Sequence, residues 1–464
     1  MTHSYKIEYI HYVSDFTHLI IFNNIYGEKT GPSLPYKTYK RACKESQLLQ
    51  LIRISTLTSK RIFGMLGYIL NKLENPKRPL LGPNVKALEF WGLLLPKNTV
   101  MKYVYVFLHI SIIFFTATEY IDIWFIKSDI NMLLENLKIT MLASVSVIKV
   151  STFLIWQQKW RMIVEYVTES DINQRKTDDD INKSIIRKMT TYSRKITYLY
   201  WSLMYTTVAV VMVQPIIKYV FSQSYRENVK SGDESYIQVV SSWVPFDKNT
   251  IAGYLAACAF QSYAAIYGGG WITSFDTNAI VTMVFFKGEL ELLRRDSAAI
   301  FGTEKNPVSY DEARKRFKDC HRRHVNAVKY SSLFDSCLSP IMLFYMFVCS
   351  VMLCVTAYQI TSGTSVMQKV LQVEYLVFGV SQLFMYCWHS NDVMHTSRDL
   401  IYGPFESTWW AKNVLRKDLY ILMAQYHKEI VFSAGPFTNL TLPTFISVRF
   451  WTTSYFSVYL NSKC

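Results

Sequence analysis

The apolar residues of this chain fall into long continuous runs separated by charged stretches. Each run is about 20 residues long, the length that an α-helix needs to cross roughly 30 Å of hydrocarbon. The hydropathy pattern predicts seven membrane spans, at residues 99–125, 131–156, 196–220, 250–285, 331–357, 366–388 and 442–460. We therefore predict an all-α membrane protein with seven transmembrane helices.

The remaining segments complete the predicted organisation. Amphipathic stretches at residues 84–95 and 415–431 precede the first and last spans. Residues 1–64 resemble neither a span nor a signal peptide. They are either a cytosolic extension or a segment upstream of a natural start at Met65. The predicted divisions are 1–64, an N-terminal extension; 65–98, a cytosolic segment; 99–388, six spans with cytosolic loops 157–195 and 286–330; 389–441, a cytosolic anchor region; and 442–464, the seventh helix.

Charge predicts the orientation of the spans. The chain has 50 Lys+Arg against 35 Asp+Glu, and the excess lies before the first span and in the loops 157–195 and 286–330, whereas the loop 221–249 is balanced. Basic loops stay in the cytosol, so the N-terminus is expected inside and the C-terminus outside. That orientation is opposite to that of a G-protein-coupled receptor. Because no basic run is interleaved with stacking aromatics, nucleic acid is not expected as a partner.

Catalytic and metal-binding motifs are missing from the sequence. It contains no Gly-x-Ser-x-Gly, no His-Glu-x-x-His and no paired Cys-x-x-Cys. His321 and His324 lack a third ligand within reach, and a solvated basic face is the favoured interpretation. Gly268-Gly-Gly270 favours close helix packing or a kink. We predict no enzyme activity, no cofactor and no metal site.

Five charged residues lie inside the predicted spans. Each costs a few kcal/mol if it faces lipid, so each is expected to pair with another group or to face water. The five are Glu135, Lys138, Lys149, Asp276 and Glu374.

Several short motifs occur in a common order from about Met65 to the end, and together they resemble the insect odorant receptor family. Each is weakly specific, and the order and spacing carry the resemblance. The motifs lie at residues 77–82 (KRPLLG), 242–247 (SWVPFD), 320–324 (CHRRH), 382–391 (QLFMYCWHSN), 406–410 (ESTWW), 433–435 (SAG), 442–445 (LPTF) and 454–456 (SYF).

The resemblance implies an odour-tuning subunit of a ligand-gated, non-selective cation channel. In that family four subunits surround one pore, and tuning subunits form heterotetramers with a shared co-receptor. The loop 286–330 is shorter than the corresponding co-receptor loop, which favours a tuning subunit. The expected surroundings are the plasma membrane of olfactory sensory neurons, its lipid, and a small volatile odorant. A gustatory receptor of the sister family and a secondary transporter remain alternatives.

The resemblance also implies the functional residues. A pocket among spans two, three, four and six would be lined by Leu134, Lys138, Met141, Thr207, Val210, Gln214, Tyr254, Cys258, Tyr375, Phe378 and Gln382, for each of which ordinary helix packing is the alternative. Subunits would be anchored through Glu406, Trp409 and Trp410, with a position at the membrane interface as the alternative for the two tryptophans. The resemblance places an apolar gate at Val458, and a turn of 100° per residue puts it on one pore face with Ser447, Trp451, Ser454 and Ser462.

Overall fold

The computed structural model describes residues 72–362, 366–411 and 415–447. In this part of the chain the helices are α1 (Gly82–Phe90), α2 (Thr99–Ile126), α3 (Ile130–Ile155), α4 (Gln157–Gln174), α5 (Asp180–Phe221), α6 (Gln223–Ser231), α7 (Ile251–Ala298), α8 (Tyr310–Ser362), α9 (Val366–Asp399), α10 (Tyr402–Glu406) and α11 (Arg416–Tyr426). A short 3-10 helix spans Trp409–Ala411, and a hairpin pairs β1 (Ser433–Ala434) with β2 (Thr438–Asn439). Residues 442–447 are again helical.

Side-chain caps set the starts of the long helices. Asn98 accepts a hydrogen bond from the Val100 N–H at 3.0 Å, and Asp179 accepts one from the Ile181 N–H at 2.9 Å. Thr250 accepts one from the Gly253 N–H at 3.2 Å. Such caps satisfy N–H groups that lack a partner in the first helical turn. The starts of α2, α5 and α7 are therefore encoded locally.

Four of the described helices are long and apolar enough to cross a membrane. They are α2, the Met132–Ile155 part of α3, α5, and the Tyr310–Thr356 part of α8. The helices α7 and α9 cover the predicted fourth and sixth spans and are not among these four. The seven-span count stays a prediction, because most of the last predicted span lies outside the described residues.

Several helices extend beyond the predicted spans. The segments 157–195 and 286–330 are mostly helical. The first contains α4 and the start of α5, and the second contains the end of α7 and the start of α8. The 53 residues of α8 reach about 80 Å at 1.5 Å per residue, well beyond a hydrocarbon layer. Hydropathy detects only the apolar part of such a helix.

The predicted helix 415–431 is also shorter in the structure, where α11 ends at Tyr426. The residues after Tyr426 make hydrogen bonds with the end of α9 instead of continuing the helix. Arg398 Nε donates to Glu429 at 2.8 Å, and the Ile430 N–H donates to Ser397 Oγ at 2.9 Å. These tertiary hydrogen bonds replace the helical ones.

The helix α7 forms the centre of the fold. Its residues from Trp271 to Phe286 are all buried, and it packs against α1, α3, α5, α8 and α9. The glycine run explains part of this contact, because a Cβ on Gly270 would lie 2.2 Å from Trp91 Cε2 and one on Gly269 would lie 3.0 Å from Val208 Cγ2. The expectation of close helix packing is confirmed, and the helix continues through the run.

Candidate functional site

A buried ion pair joins α3 to α7. Lys149 Nζ lies 2.6 Å from Asp276 Oδ1, and both side chains are fully buried. The Asp276 carboxylate also accepts hydrogen bonds from Tyr200 Oη at 2.5 Å, from Tyr386 Oη at 2.6 Å and from Gln382 Nε2. A buried carboxylate is tolerated when its charge is paired and its oxygens are hydrogen-bonded. Each of these two charges was expected to pair with another group or to face water, and they pair with each other.

The network around Asp276 reaches a further helix through Tyr345 of α8. Its hydroxyl donates to Gln382 Oε1 at 2.8 Å, and its ring centroid lies 4.9 Å from Lys149 Nζ. That distance is within the range of a cation–π contact. One polar network therefore links α3, α5, α7, α8 and α9. We call it the Asp276 network, formed by Lys149, Tyr200, Asp276, Tyr345, Gln382 and Tyr386.

A cavity lies beside this network, between α3, α8 and α9. Its volume is about 20 Å³, counted as the space open to the centre of a water molecule, which is enough for about one water. A larger ligand would need the wall side chains to move. The lining residues are Leu142, Tyr345, Cys349, Met352, Leu353, Thr356, Leu376, Phe378, Gly379 and Gln382. Mostly apolar walls with a few polar groups are typical of small-molecule sites.

Two of the predicted pocket residues, Phe378 and Gln382, line this cavity. The other predicted residues with described side chains lie elsewhere. Lys138 and Thr207 are buried, and Val210 is 37% exposed. Four more, Leu134, Met141, Gln214 and Cys258, are half-buried. The side chain of Tyr375 lies outside the described part.

Tyr254, another predicted pocket residue, contacts the segment before α7 instead of this cavity. Its hydroxyl donates to the Ile237 carbonyl at 2.9 Å, and its ring stacks on Tyr236 with the centroids 4.7 Å apart. It therefore helps to hold the connection between α6 and α7 against the helices.

The sequence-based prediction of the pocket did not include the residues of α8 that line the cavity. Tyr345, Cys349, Met352 and Thr356 all line the cavity. They recur at intervals of four, three and four residues, which places them on one helical face. That spacing is visible in the sequence. It was overlooked because the pocket was assigned to spans two, three, four and six.

The predicted anchor residues have contacts within the chain. Arg294 Nη2 donates to Glu406 Oε1 at 2.8 Å, although Glu406 is exposed. Trp409 packs against the core, with the Arg416 guanidinium 5.6 Å from its ring, while Trp410 is 50% exposed. The exposed Trp410 ring leaves area available to another chain.

The predicted pore face is described at its first residue alone. Ser447 is exposed, and its hydroxyl donates to the Pro443 carbonyl at 2.9 Å. Trp451, Ser454, Val458 and Ser462 lie outside the described residues.

The motif at residues 320–324 packs between helices, so the expected solvated basic face was wrong. Arg323 Nε donates to Glu289 Oε1 at 2.9 Å, and its guanidinium also pairs with Asp296. His321 Nδ1 lies 2.7 Å from Gln425 Oε1. The His324 ring centroid lies 4.7 Å from that of Tyr426 on α11. Burial raises the pKa of the Tyr426 phenol. Within the described ranges, no group of three or more side chains could hold a metal.

Comparison with known proteins identifies the family. The model of the 7tm odorant receptor family matches residues 129–451, which is more than half of the chain. The chain belongs to this family. The resemblance found in its motifs is confirmed, and a family of receptors is not a family of enzymes.

This odorant receptor is similar to several characterised proteins. It is 20% identical to odorant receptor 13a of Drosophila melanogaster over 357 residues, which cover 72% of this chain and 82% of that protein. It is 24% identical to the odorant receptor coreceptor of Aedes aegypti over 143 residues, 30% of each chain. The structure of the olfactory receptor OR5 from Machilis hrabei in complex with eugenol matches with a TM-score of 0.68 at 17% identity, covering 82% of this chain and 97% of that one. The last similarity shows the fold.

Proposed function

We propose that this receptor is the ligand-binding subunit of a heteromeric, odorant-gated, non-selective cation channel. The observation that carries the proposal is the cavity between α3, α8 and α9, which has apolar walls and a polar floor at Tyr345 and Gln382. A volatile ligand has few polar atoms, so its affinity comes mainly from apolar burial. The related OR5 is in complex with eugenol, a small ligand of that kind.

The helix α8 provides a physical connection from the cavity to the last helix. Residues 345–356 of α8 line the cavity, and Asp335 and Ser339 of the same helix hold the hairpin. The hairpin ends at Asn439, shortly before the helical residues 442–447. A ligand shifts a channel toward its open state only by binding that state more tightly. We propose that displacement of the cavity wall on α8 moves the hairpin and the start of the last helix.

The last helix is proposed to line the pore. Ser447, Trp451, Ser454, Val458 and Ser462 share one helical face, so hydroxyls form a wet stripe and Val458 forms the apolar constriction. The remaining predicted pocket residues are proposed to form the surroundings of the cavity once it widens around a ligand.

The proposed assembly is a heterotetramer with an odorant co-receptor in the plasma membrane of olfactory sensory neurons. Similarity to odorant receptor 13a covers 72% of this chain, whereas similarity to the odorant receptor coreceptor covers 30%. This difference supports a tuning subunit. The proposed orientation has seven spans, a cytosolic N-terminus and an extracellular C-terminus, with Glu406, Trp409 and Trp410 in the anchor region between subunits.

The test is electrical. The chain is expressed with an odorant co-receptor and exposed to a panel of volatile compounds. A transient cation current that requires both chains is the expected result. Accumulation of a substrate without such a current would support a secondary transporter, and a current from this chain alone would contradict the heteromer.

A further inference from the structure

The polar groups that line the cavity point to the chemistry of its ligand, an inference that rests on the proposed function. Thr356 Oγ1 donates its proton to the Met352 carbonyl at 2.7 Å. Tyr345 Oη donates its proton to Gln382 Oε1 at 2.8 Å. A hydroxyl has one proton and two lone pairs. Both hydroxyls therefore have lone pairs, and no proton, left for a ligand.

The other two polar side chains of the cavity are engaged in the same way. Cys349 Sγ lies 4.0 Å from the Gly379 carbonyl, to which its weak S–H donor is directed. The amide of Gln382 is oriented by its neighbours, because the carboxylate of Asp276 accepts from Nε2 while Tyr345 donates to Oε1. The amide oxygen of Gln382, a residue that lines the cavity, therefore has one lone pair in use and one left for a ligand.

We propose that the cavity selects ligands with a hydroxyl donor, such as a primary alcohol or a phenol, over ethers and aldehydes of the same size. A hydroxyl can donate to Thr356 Oγ1, Tyr345 Oη or Gln382 Oε1. An ether or aldehyde oxygen is itself an acceptor, so it cannot bond to the acceptor atoms of the cavity wall. Binding then leaves buried polar atoms without a hydrogen bond, which lowers the affinity. One neutral hydrogen bond corresponds to a difference of about 3- to 10-fold in potency.

The apolar walls determine how such a ligand fits. The open volume of about 20 Å³ holds a group the size of water, which matches the hydroxyl itself. The carbon chain needs room that Met352 and Leu353 must provide by changing rotamer. An unbranched Met side chain adapts easily to such a change.

The test compares isomeric ligands on the receptor expressed with a co-receptor. Hexan-1-ol is paired with pentyl methyl ether and compared with hexanal, and 2-phenylethanol is paired with benzyl methyl ether. The expected result is that each alcohol is at least 3-fold more potent than its ether isomer. Equal potency within both pairs, or greater potency of hexanal, overturns the proposed selectivity. If other volatiles evoke currents while no alcohol does, the selectivity fails and the proposed function stands; if nothing evokes a current, the proposed function fails.

Variants of Thr356 separate ligand contact from structural support. Thr356→Val removes one acceptor without touching the Asp276 network and is expected to lower the potency of alcohols about 3- to 10-fold while leaving ethers unchanged. Thr356→Ser keeps the acceptor and is expected to keep the preference. The control is Thr206→Val, because Thr206 Oγ1 makes the same bond to its own helix, to the Ser202 carbonyl at 2.8 Å, away from the cavity. An equal loss for alcohols and ethers in Thr356→Val overturns the proposed contact.

Discussion

Lys149 Nζ lies 2.6 Å from Asp276 Oδ1 in the interior of the protein, with neither side chain exposed. The two residues are 127 positions apart in the sequence. A buried ion pair adds little net stability compared with apolar packing, but loss of one partner leaves a buried charge without compensation. The pair therefore constrains how α3 and α7 can meet.

The first prediction concerns this ion pair. Lys149→Met and Asp276→Asn are each expected to destabilise the protein by about 3–5 kcal/mol, because each leaves a buried polar group unpaired. The double variant is expected to lose less than the sum, since the amide oxygen of Asn still accepts from one of the two tyrosines and no ammonium remains. The apparent Tm of the detergent-solubilised receptor is measured for the wild type, both single variants and the double variant, and the four values form a double-mutant cycle.

The control for that cycle is the pair Arg295 and Asp179, which are 2.8 Å apart but 30% and 40% exposed. Arg295→Gln is expected to cost no more than about 1 kcal/mol. Additive losses in the Lys149 and Asp276 cycle would show that the two charges do not act together.

The second prediction concerns the glycines of α7. Gly270→Ala places a Cβ 2.2 Å from Trp91 Cε2 and should cost about 1–3 kcal/mol through overpacking against Trp91, which follows α1. Gly268→Ala is the matched control, because its Cβ meets nothing within 4 Å and alanine favours a helix. The apparent Tm should fall in the first variant and stay or rise in the second. Equal effects would contradict the packing of Trp91 on α7.

The third prediction concerns two neighbouring arginines on α8. Arg323 pairs with both Glu289 and Asp296, and the Glu289 side chain is 1% exposed. Arg322 is 71% exposed and pairs with Asp319 on its own helix. Arg323→Gln should cost about 2–3 kcal/mol, because hydrogen bonds to buried charges are lost, whereas Arg322→Gln should change stability by no more than about 0.5 kcal/mol. Surface expression and apparent Tm measure both. A larger loss for Arg322→Gln would be inconsistent with this packing.

The fourth prediction concerns the hairpin. Ser433 Oγ donates to Asp335 Oδ2 at 3.0 Å and lies 2.8 Å from Ser339 Oγ. Ser433→Ala removes these bonds and is expected to shift the odorant EC50 or the resting current about 3- to 10-fold, because the hairpin leads into the last helix. Ser336→Ala is the control, since Ser336 is exposed and bonds to the Leu333 carbonyl of its own helix. Unchanged currents in both variants would remove the hairpin from the proposed gating route.

The fifth prediction tests the proposed pore face. Val458→Ala widens the apolar constriction and should raise the resting current or alter ion preference. Leu460→Ala changes a residue that a turn of 100° per residue assigns to another face of the proposed helix, and it should do neither. The measurement is whole-cell current in exchanged cation solutions. If both variants conduct like the wild type, this pore face is discarded.

Much of the helical framework was predictable from the sequence. The first span was predicted at residues 99–125, and the structure has a helix at Thr99–Ile126, because Asn98 caps the start of an apolar run and Lys127 follows its end. Close packing at Gly269 and Gly270, and the need for each intramembrane charge to find a partner or water, were also predictable from the sequence. Hydropathy, caps and helix period are local properties, so one stretch of chain carries them.

The tertiary structure alone decided which distant residues meet. Lys149 takes Asp276 as its partner, the cavity opens along α8, and the motif at residues 320–324 faces α11. Each depends on the rotation and register of helices that are far apart in sequence. Many registers bury the same apolar area, and the matching of a few polar groups selects among them. A single sequence shows those groups and does not show their pairing.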